Sequence, residues 1–344
     1  HSGYPSNSVT LITEKIIQNM ASDAKEPSNS NSDRKNYGNN RHIYSNLLQW
    51  LNSNAAAGAW YSAKHSADQA PTTKNTHVTY NPYTSWAGFL AMLDPKFVAE
   101  LLTTTQTVAR NTVTDGGSYE TVTSKMFLPS TTEVGLANEN NIAEGSLLAL
   151  FSNDASRVAY PTAQCVNNAD GYTNSGFATS KGWYWWLRTP NSSHPYYVRG
   201  VYSDGSLNNN NAYNGSNGVR PLCNLKSSIL VSDSPNSDGN YTVIYNSAPS
   251  APPSITAPAT CYSGQNINIS CAAATDPDGD ALTYCFERSY NSGAWTQVQT
   301  SASRTFTEAV MKAWNTLKYR VRAKDSYGNY SAYTTSGDIA VIHN

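Results

Sequence analysis

Trp183-Tyr-Trp-Trp-Leu-Arg-Thr-Pro190 and Gly218-Val-Arg-Pro-Leu222 are apolar and aromatic, and between them the chain changes character. From Asn191 to Asn217 the only Asp, Glu, Lys or Arg residues are Arg199 and Asp204, and six of the ten residues from 208 to 217 are Asn. Asparagine is poor in strands and in helix interiors, so Asn208-Asn-Asn-Asn211 reads as a solvated surface loop, not a core element. A polar segment gripped at both ends by rigid apolar chain is how a binding loop is mounted on a scaffold. Ser193, His194, Pro195, Tyr196, Tyr197, Gly200, Tyr202 and Tyr213 lie inside it. Tyr set among Ser, Gly and Asn is the composition of antibody paratopes, with contact area at low entropy cost and adaptable hydrogen bonds around it. Tyr196 alternates with Val198, and Tyr197 with Arg199 and Val201, so one set faces inward. A low-complexity polar loop without a role has the same composition.

On the N-terminal side, Thr10 to Ile17 reads as a strand followed by a helical turn. Ile43, Leu47, Leu48 and Leu51 recur at helical spacing, which predicts an amphipathic helix over Tyr44 to Asn54. Asp94-Pro95 is a cap with a first-turn proline, and Phe97, Val98, Leu101 and Leu102 follow on one face. After residue 105 helix signals fade, and Lys125 to Leu128, Trp183 to Leu187, Tyr196 to Tyr202 and Ser228 to Val231 read as short strands. Helices followed by short strands predict an α+β domain over 1–245. On the C-terminal side, Asn246-Ser-Ala-Pro-Ser-Ala-Pro-Pro-Ser-Ile-Thr-Ala-Pro258 reads as a short, stiff linker over 246–258. Beyond it, Ile267, Ile269 and Cys271, then Leu282, Tyr284 and Phe286, then Leu317, Tyr319 and Val321 alternate at period two between turn signals, which predicts a small β-sandwich over 259–344. Thr275-Asp-Pro-Asp-Gly-Asp-Ala-Leu-Thr-Tyr284 and Tyr319-Arg-Val-Arg-Ala-Lys-Asp-Ser-Tyr-Gly-Asn-Tyr-Ser331 resemble bacterial immunoglobulin-like or fibronectin type III-like modules.

Composition narrows the function. The 344 residues carry 23 Lys and Arg against 24 Asp and Glu, so the basic surplus that binds phosphates is missing and no nucleic-acid partner is expected. No run of 18 apolar residues exists, so no membrane insertion is expected. Only 14% of residues are charged, but 23 Tyr, 8 Trp and 7 Phe argue for a folded chain. Five Cys (Cys165, Cys223, Cys261, Cys271, Cys285) with no CxxC, and six unclustered His, argue against zinc. A chain opening at His1 with no signal peptide reads as a fragment or processed form.

Ile43-Tyr-Ser-Asn-Leu-Leu-Gln-Trp-Leu-Asn52, Trp60-Tyr-Ser-Ala-Lys-His65, Gly88-Phe-Leu90, Met126-Phe-Leu-Pro-Ser130, Glu133-Val-Gly-Leu136, Trp186-Leu-Arg-Thr-Pro190 and Gly218-Val-Arg-Pro-Leu222 occur in this order. Together they resemble C-type-lectin-fold variable proteins of bacterial and phage diversity-generating retroelements, over residues 5 to 232. In that family a reverse transcriptase mutates template adenines, which turns Asn codons into His, Pro, Tyr, Ser, Gly or Asp codons. The resemblance implies diversified, ligand-binding positions at Ser193, His194, Pro195, Tyr196, Tyr197, Gly200, Tyr202, Asn208, Asn210, Tyr213, Asn214, Gly215 and Asn217. Their frame would be Trp183, Trp185, Trp186, Arg188 and Arg220. The departure is position: in many variable proteins the diversified segment is C-terminal, but here a whole module follows it.

The remaining candidates are weaker. Oxidases of the same fold need a copper-binding Cys pair or a His-rich site. Cys165 and Cys223 have no His cluster near them, so no enzyme is expected and both thiols read as buried small apolar residues. Arg188 and Arg220 read as anchors of the loop ends through carbonyls or a carboxylate. Asp276, Asp278 and Asp280 alternate as in a Ca²⁺ loop, with Asp325 a further oxygen donor from across the sandwich. A solvated turn, with Asp and Gly chosen for turn geometry, explains the three aspartates better and is the reading preferred. Asn191-Ser-Ser and Asn214-Gly-Ser match the glycosylation pattern by chance in so Asn-rich a chain. Lys312 to Arg322 reads as the wet face of a strand. The whole predicts a C-type-lectin-fold binding domain followed by an immunoglobulin-like sandwich, without a cofactor unless Ca²⁺ binds. Its ligand would be a protein or glycan on a bacterial cell surface, and its own place extracellular, on a phage virion or bacterial surface. The alternative is a non-diversified surface or secreted carbohydrate-binding or adhesin domain.

Overall fold

Leu207–Asn211 is a β-strand, not the loop its asparagines predict. The computed structural model describes residues 3–77, 80–169 and 176–343, and it explains this strand by its neighbour. Leu207–Asn211 pairs antiparallel with Tyr197–Val201, in register from Tyr197↔Asn211 to Val201↔Leu207. It sits at the edge of a five-stranded sheet ordered Gln18–Asn19, Gly218–Val219, Trp185–Pro190, Tyr197–Val201, Leu207–Asn211. A hairpin supplies backbone partners to whatever residues it contains, and at an edge the side chains are only half buried. Context here overrides the poor strand propensity of Asn.

The sheet is buried on both faces. Trp186 and Val198 point into one core with Met20, Leu47, Trp50, Tyr83 and Val219. Trp185, Leu187 and Val201 point into a second with Ile16, Val134, Phe151 and Cys165. All three indole N–H groups of the Trp183–Trp186 stretch find backbone carbonyls, on Ser216, Arg157 and Met20. A second sheet joins Ser8–Ile12, Leu222–Lys226 and Leu101–Leu102, with Met126–Phe127 also on Leu222–Lys226. Thr104–Ala109 and Tyr119–Ser124 form a hairpin that sequence reading did not find.

Helices are shorter than predicted, none above six residues among those described. Asn46–Leu51 starts at Ser45, whose Oγ accepts the Leu48 amide, and buries Leu47, Leu48, Trp50 and Leu51. It stops at Asn52, not Asn54. The Asn52 side chain bonds Met126 through both its amide ends, tying the helix to a strand. Pro95–Glu100 has the Asp94 cap, but Leu101 and Leu102 leave the helix to pair with Leu225 and Asn224. Ser8–Ile12 is the first strand, and no helical turn follows; Ile17 instead donates its amide to Val219. Strand accounts for 30% of residues and helix for 11%, so the chain is mostly β.

The chain separates into units 1–229 and 230–344. The first ends at 229, not at the 245 predicted, because Ile229 packs on the first core while Leu230–Val231 pairs with Val243–Ile244. The second unit is an immunoglobulin-like β-sandwich. One sheet is Ile255–Thr256, Asn266–Cys271, Thr305–Ala309; the other is Thr260–Tyr262, Ile339–Ile342, Thr316–Lys324, Thr283–Tyr290, Thr296–Ser301. Ile267, Ile269 and Phe306 from the first sheet meet Tyr284, Phe286, Leu317, Tyr319 and Val321 from the second. The 246–258 stretch is not a free spacer. Ile255 pairs with Cys271, Ser250 donates its amide to Thr275, and Thr334 donates to the carbonyl of Pro252. All five cysteines are buried and unpaired.

A framework-held aromatic face as candidate binding site

The path of residues 191–197 is set by side chains outside the segment. Asn40, 2% exposed, turns the two hydrogens of Nδ2 to the carbonyls of Asn191, His194 and Tyr197 at 3.1, 2.7 and 2.9 Å, one hydrogen being shared. Its Oδ1 accepts from Asn111 Nδ2 at 3.0 Å, so the amide cannot swing away. Arg34 donates Nε to the Pro195 carbonyl at 3.2 Å and is held by Asp115 at 2.6 Å. Thr112 donates its amide and its hydroxyl to the Ser192 carbonyl, at 2.8 and 2.9 Å. Glu139 accepts the Ser192 amide at 2.7 Å and pairs with Arg199. Within the segment, Asn191 Oδ1 takes the Ser193 amide. Buried backbone carbonyls must find donors, and here framework side chains supply most of them.

Most of the larger side chains that point out from this backbone are aromatic. Tyr196 and Tyr197 lie 4.3 Å apart by ring centroid, His194 is 5.1 Å from Tyr197, and Tyr37 is 5.0 Å from Tyr196 and 6.0 Å from Tyr213. His77 stands edge-on to Tyr213 at 5.1 Å. Lys25 Nζ lies 6.0 Å from the Tyr213 ring. Tyr213 is fixed by its own backbone, its amide donating to Tyr37 and its carbonyl accepting from His77. Partial burial and the contact with Tyr197 push the Tyr196 phenol up to about 12. Burial raises Tyr213 and, with Lys25 nearby, lowers His77. The phenols of Tyr196 and Tyr213 are uncharged at neutral pH, so the face offers flat π-surfaces and hydroxyls beside the Lys25 ammonium.

The thirteen residues predicted for this surface do not all reach it. Ser193 and His194 are exposed, and Tyr196, Tyr197 and Tyr213 are half buried at the same face. Tyr202 is 44% exposed but sits just beyond the other end of the strand Tyr197–Val201, stacked on Tyr184 at 5.6 Å. Asn208 lies towards that far end, opposite Gly200. Asn214 is a turn residue whose Oδ1 accepts the Ser216 amide. Four positions are interior, contrary to the expectation that they line the face. Pro195 is buried beneath Arg34. Asn217 is fully buried, gives its carbonyl to Met20, and takes the side-chain amide of half-buried Asn210. A Cβ on Gly200 would come within 2.8 Å of the Trp185 carbonyl oxygen, and one on Gly215 within 2.0 Å of that of Tyr80. These glycines are required by close approach of backbone, which composition does not show.

Trp183, Trp185 and Trp186 are buried. Arg188 is 1% exposed; it pairs with Glu133 at 2.6 Å and donates to the Leu128 carbonyl at 2.9 Å. Arg220 donates to Thr13 and lies 5.0 Å over the Trp185 ring, and burial lowers it to about 10. Burial pushes the Cys165 and Cys223 thiols up to about 12, leaving them unreactive at neutral pH. Sequence reading missed Asn40, Arg34, Thr112, Glu139, Tyr37 and His77. Each is one polar or aromatic residue among many, and only the fold brings them beside 191–217.

Residues 7–227 match the model of DUF6273, a domain of unknown function, and the chain belongs to that family. No curated protein matches the chain. Among solved structures it is similar to a PKD domain of an M14-like peptidase from Thermoplasmatales archaeon SCGC AB-540-F20, at 26% identity over 28% of this chain and 97% of that one, TM-score 0.23. It is similar also to an Fn3-like protein from Clostridium thermocellum (23% identity, 28% and 96% covered, TM-score 0.21). A third likeness is to the fibronectin type III domain of human fibronectin type III domain containing protein 3 (14% identity, 28% and 88% covered, TM-score 0.20).

Proposed function

We propose that the first unit is a C-type-lectin-fold binding domain whose face of His194, Tyr196, Tyr197, Tyr213 and Tyr37 recognises a ligand on a bacterial cell surface. In this reading the chain is displayed extracellularly, on a phage virion or a bacterium, and carries out no covalent chemistry. One observation supports it above the others: the backbone of 191–197 is held by Asn40, Arg34, Thr112 and Glu139, all but Glu139 through side chains that reach its carbonyls. The side chains at 193, 194, 196 and 197 are then free to differ without moving the loop. Rigid aromatic anchors on a fixed backbone give affinity at low entropic cost. The same freedom fits diversification by adenine-directed retrohoming, with the exchangeable set reduced by the interior positions Pro195, Gly200, Gly215 and Asn217.

Sequencing this gene in related clones tests the reading. Differences confined to residues 192–217, falling on adenine positions and sparing codons 195, 200, 215 and 217, support it. Differences scattered over the framework overturn diversification. Binding of the full chain to bacterial surfaces that is lost in a Tyr196→Ala, Tyr213→Ala double variant supports the face as the contact; unchanged binding removes it.

A further inference from the structure

In the sandwich unit, the turn Asp276–Asp280 and the turn Asp325–Asn329 bring oxygens together. Asp276, Asp280 and Asp325 each place a carboxylate oxygen so that all lie within 4.8 Å of one another. That spread is what a shell about 2.3–2.6 Å in radius allows across its diameter. The ion pairs described in the sandwich unit are Arg288–Glu308, Arg320–Glu287 and Lys318–Asp338, and none involves these three carboxylates. Asp325 is 4% exposed. Its Oδ1 accepts the amides of Tyr327 and Asn329 at 3.0 and 2.8 Å, and its Oδ2 accepts Asn246 Nδ2 at 2.9 Å.

A second observation is independent of the acidic clustering. Three oxygens here are shut off from solvent and accept no hydrogen bond: Asp276 Oδ2, Asp280 Oδ2 and Asn246 Oδ1. In each residue the other polar atom is already engaged. Asp276 Oδ1 takes the amides of Asp278 and Asp280, Asp280 Oδ1 takes the Ser326 hydroxyl, and Asn246 Nδ2 is spent on Asp325. The side chains are thus oriented by internal bonds while one buried oxygen of each is left unpartnered. Buried acceptors without donors and carboxylates without cations are both unfavourable. A hard divalent cation relieves both at once.

We propose that Asn246, Asp276, Asp280 and Asp325 form a Ca²⁺ site. The set differs from the one the sequence spacing implied. Asp278 is used otherwise, its Oδ2 accepting the Ser247 amide at 2.6 Å, and its place is taken by Asp325 and by an amide oxygen from the start of the Pro-rich stretch. The cation therefore joins three separate parts of the sandwich unit and fastens residues 246–256 along it. This proposal does not depend on the reading of the first unit.

The test uses the full chain, stripped with chelator and titrated with Ca²⁺ by calorimetry, alongside thermal unfolding. Saturable binding of one ion at roughly 10⁻⁴ M or tighter is expected, with a rise of several degrees in one melting transition and slower proteolysis within 246–256. Asp276→Asn and Asp280→Asn should each weaken binding at least ~10-fold, since removing ligand charge lowers affinity. Asp238→Asn, exposed and outside the site, should leave it unchanged. Asp325 also holds backbone amides, so its substitution is not used. No saturable binding up to ~10 mM Ca²⁺, or affinity unaffected in both site variants while circular dichroism shows them folded, overturns the proposal. Mg²⁺ binding as tightly as Ca²⁺ overturns the assignment to calcium.

Discussion

Asn40 satisfies three carbonyls of the binding loop with one side-chain amide. Its replacement by Ala takes this donor from the Asn191 and His194 carbonyls, while that of Tyr197 keeps the Asn191 amide, and should cost on the order of 3 kcal/mol. Substitutions on the face itself should be cheap: Tyr197→Asn or Tyr213→Asn under about 1 kcal/mol. Gly215→Asn should cost roughly 2 kcal/mol or more, because its Cβ meets the Tyr80 carbonyl. Trp186→Ala should cost ~3–5 kcal/mol for a fully buried indole. Urea unfolding followed by Trp fluorescence measures all of them. If Tyr213→Asn cost as much as Gly215→Asn, the face would be structural and not free to vary. The aromatic content of the loop was visible in the chain. That Gly215 sits among the Asn and Tyr for a steric reason was not, since its neighbour Tyr80 is far away in sequence.

At the scale of elements, Asn208 to Asn211 shows how far local preference carries. Asparagine's poor fit to strands is real, but the hairpin with Tyr197–Val201 decides the conformation. The Trp strand, by contrast, was legible, because indoles in a run need burial wherever they fall. The hairpin strand Thr104–Ala109 and the Trp strand meet at Glu144, which accepts the Ala109 amide at 2.7 Å and the Thr189 hydroxyl. Burial raises its carboxyl from 4.5 to about 7, against the pull of Arg188 and the Thr189 bond. The fold therefore favours the protonated form. The stability this lends is full below pH 4.5 and is lost as pH rises through about 7. His42, pushed down to about 3 by burial, acts in the opposite sense, its contribution lost as pH falls from 6.5. Comparing Glu144→Gln with the parent isolates the carboxyl. The variant should match the parent near pH 4.5 and exceed its stability at about pH 8. A difference independent of pH would mean that the Glu144 carboxyl titrates alike in the folded and unfolded chains.

For the whole molecule, the division at 229 follows from where burial ends. Ile229 belongs to the first core, and the hairpin of Leu230–Val231 with Val243–Ile244 lies beyond it. A fragment ending at Ile229 should fold and melt within a few degrees of the first unit in the full chain, by calorimetry, since a 1 kcal/mol loss shifts such a domain by ~2–4 °C. A fragment that fails to fold would place essential core contacts after residue 229.

By itself the chain determined two things: a period-two sandwich after the prolines, and an aromatic frame around an uncharged insert. Both follow from local rules, alternation in strands and the need of indoles for burial, which act through residues close in sequence. Tertiary structure alone decided which insert residues face outward, that Asn40 fixes the loop, that the Asn run is a strand, and that Asn246 stands beside Asp325. Apart from the Asn strand, whose partner Tyr197–Val201 is its hairpin neighbour, each is a meeting of groups distant along the chain, and hydrogen-bond partners at that range are selected by packing, not by neighbouring residues.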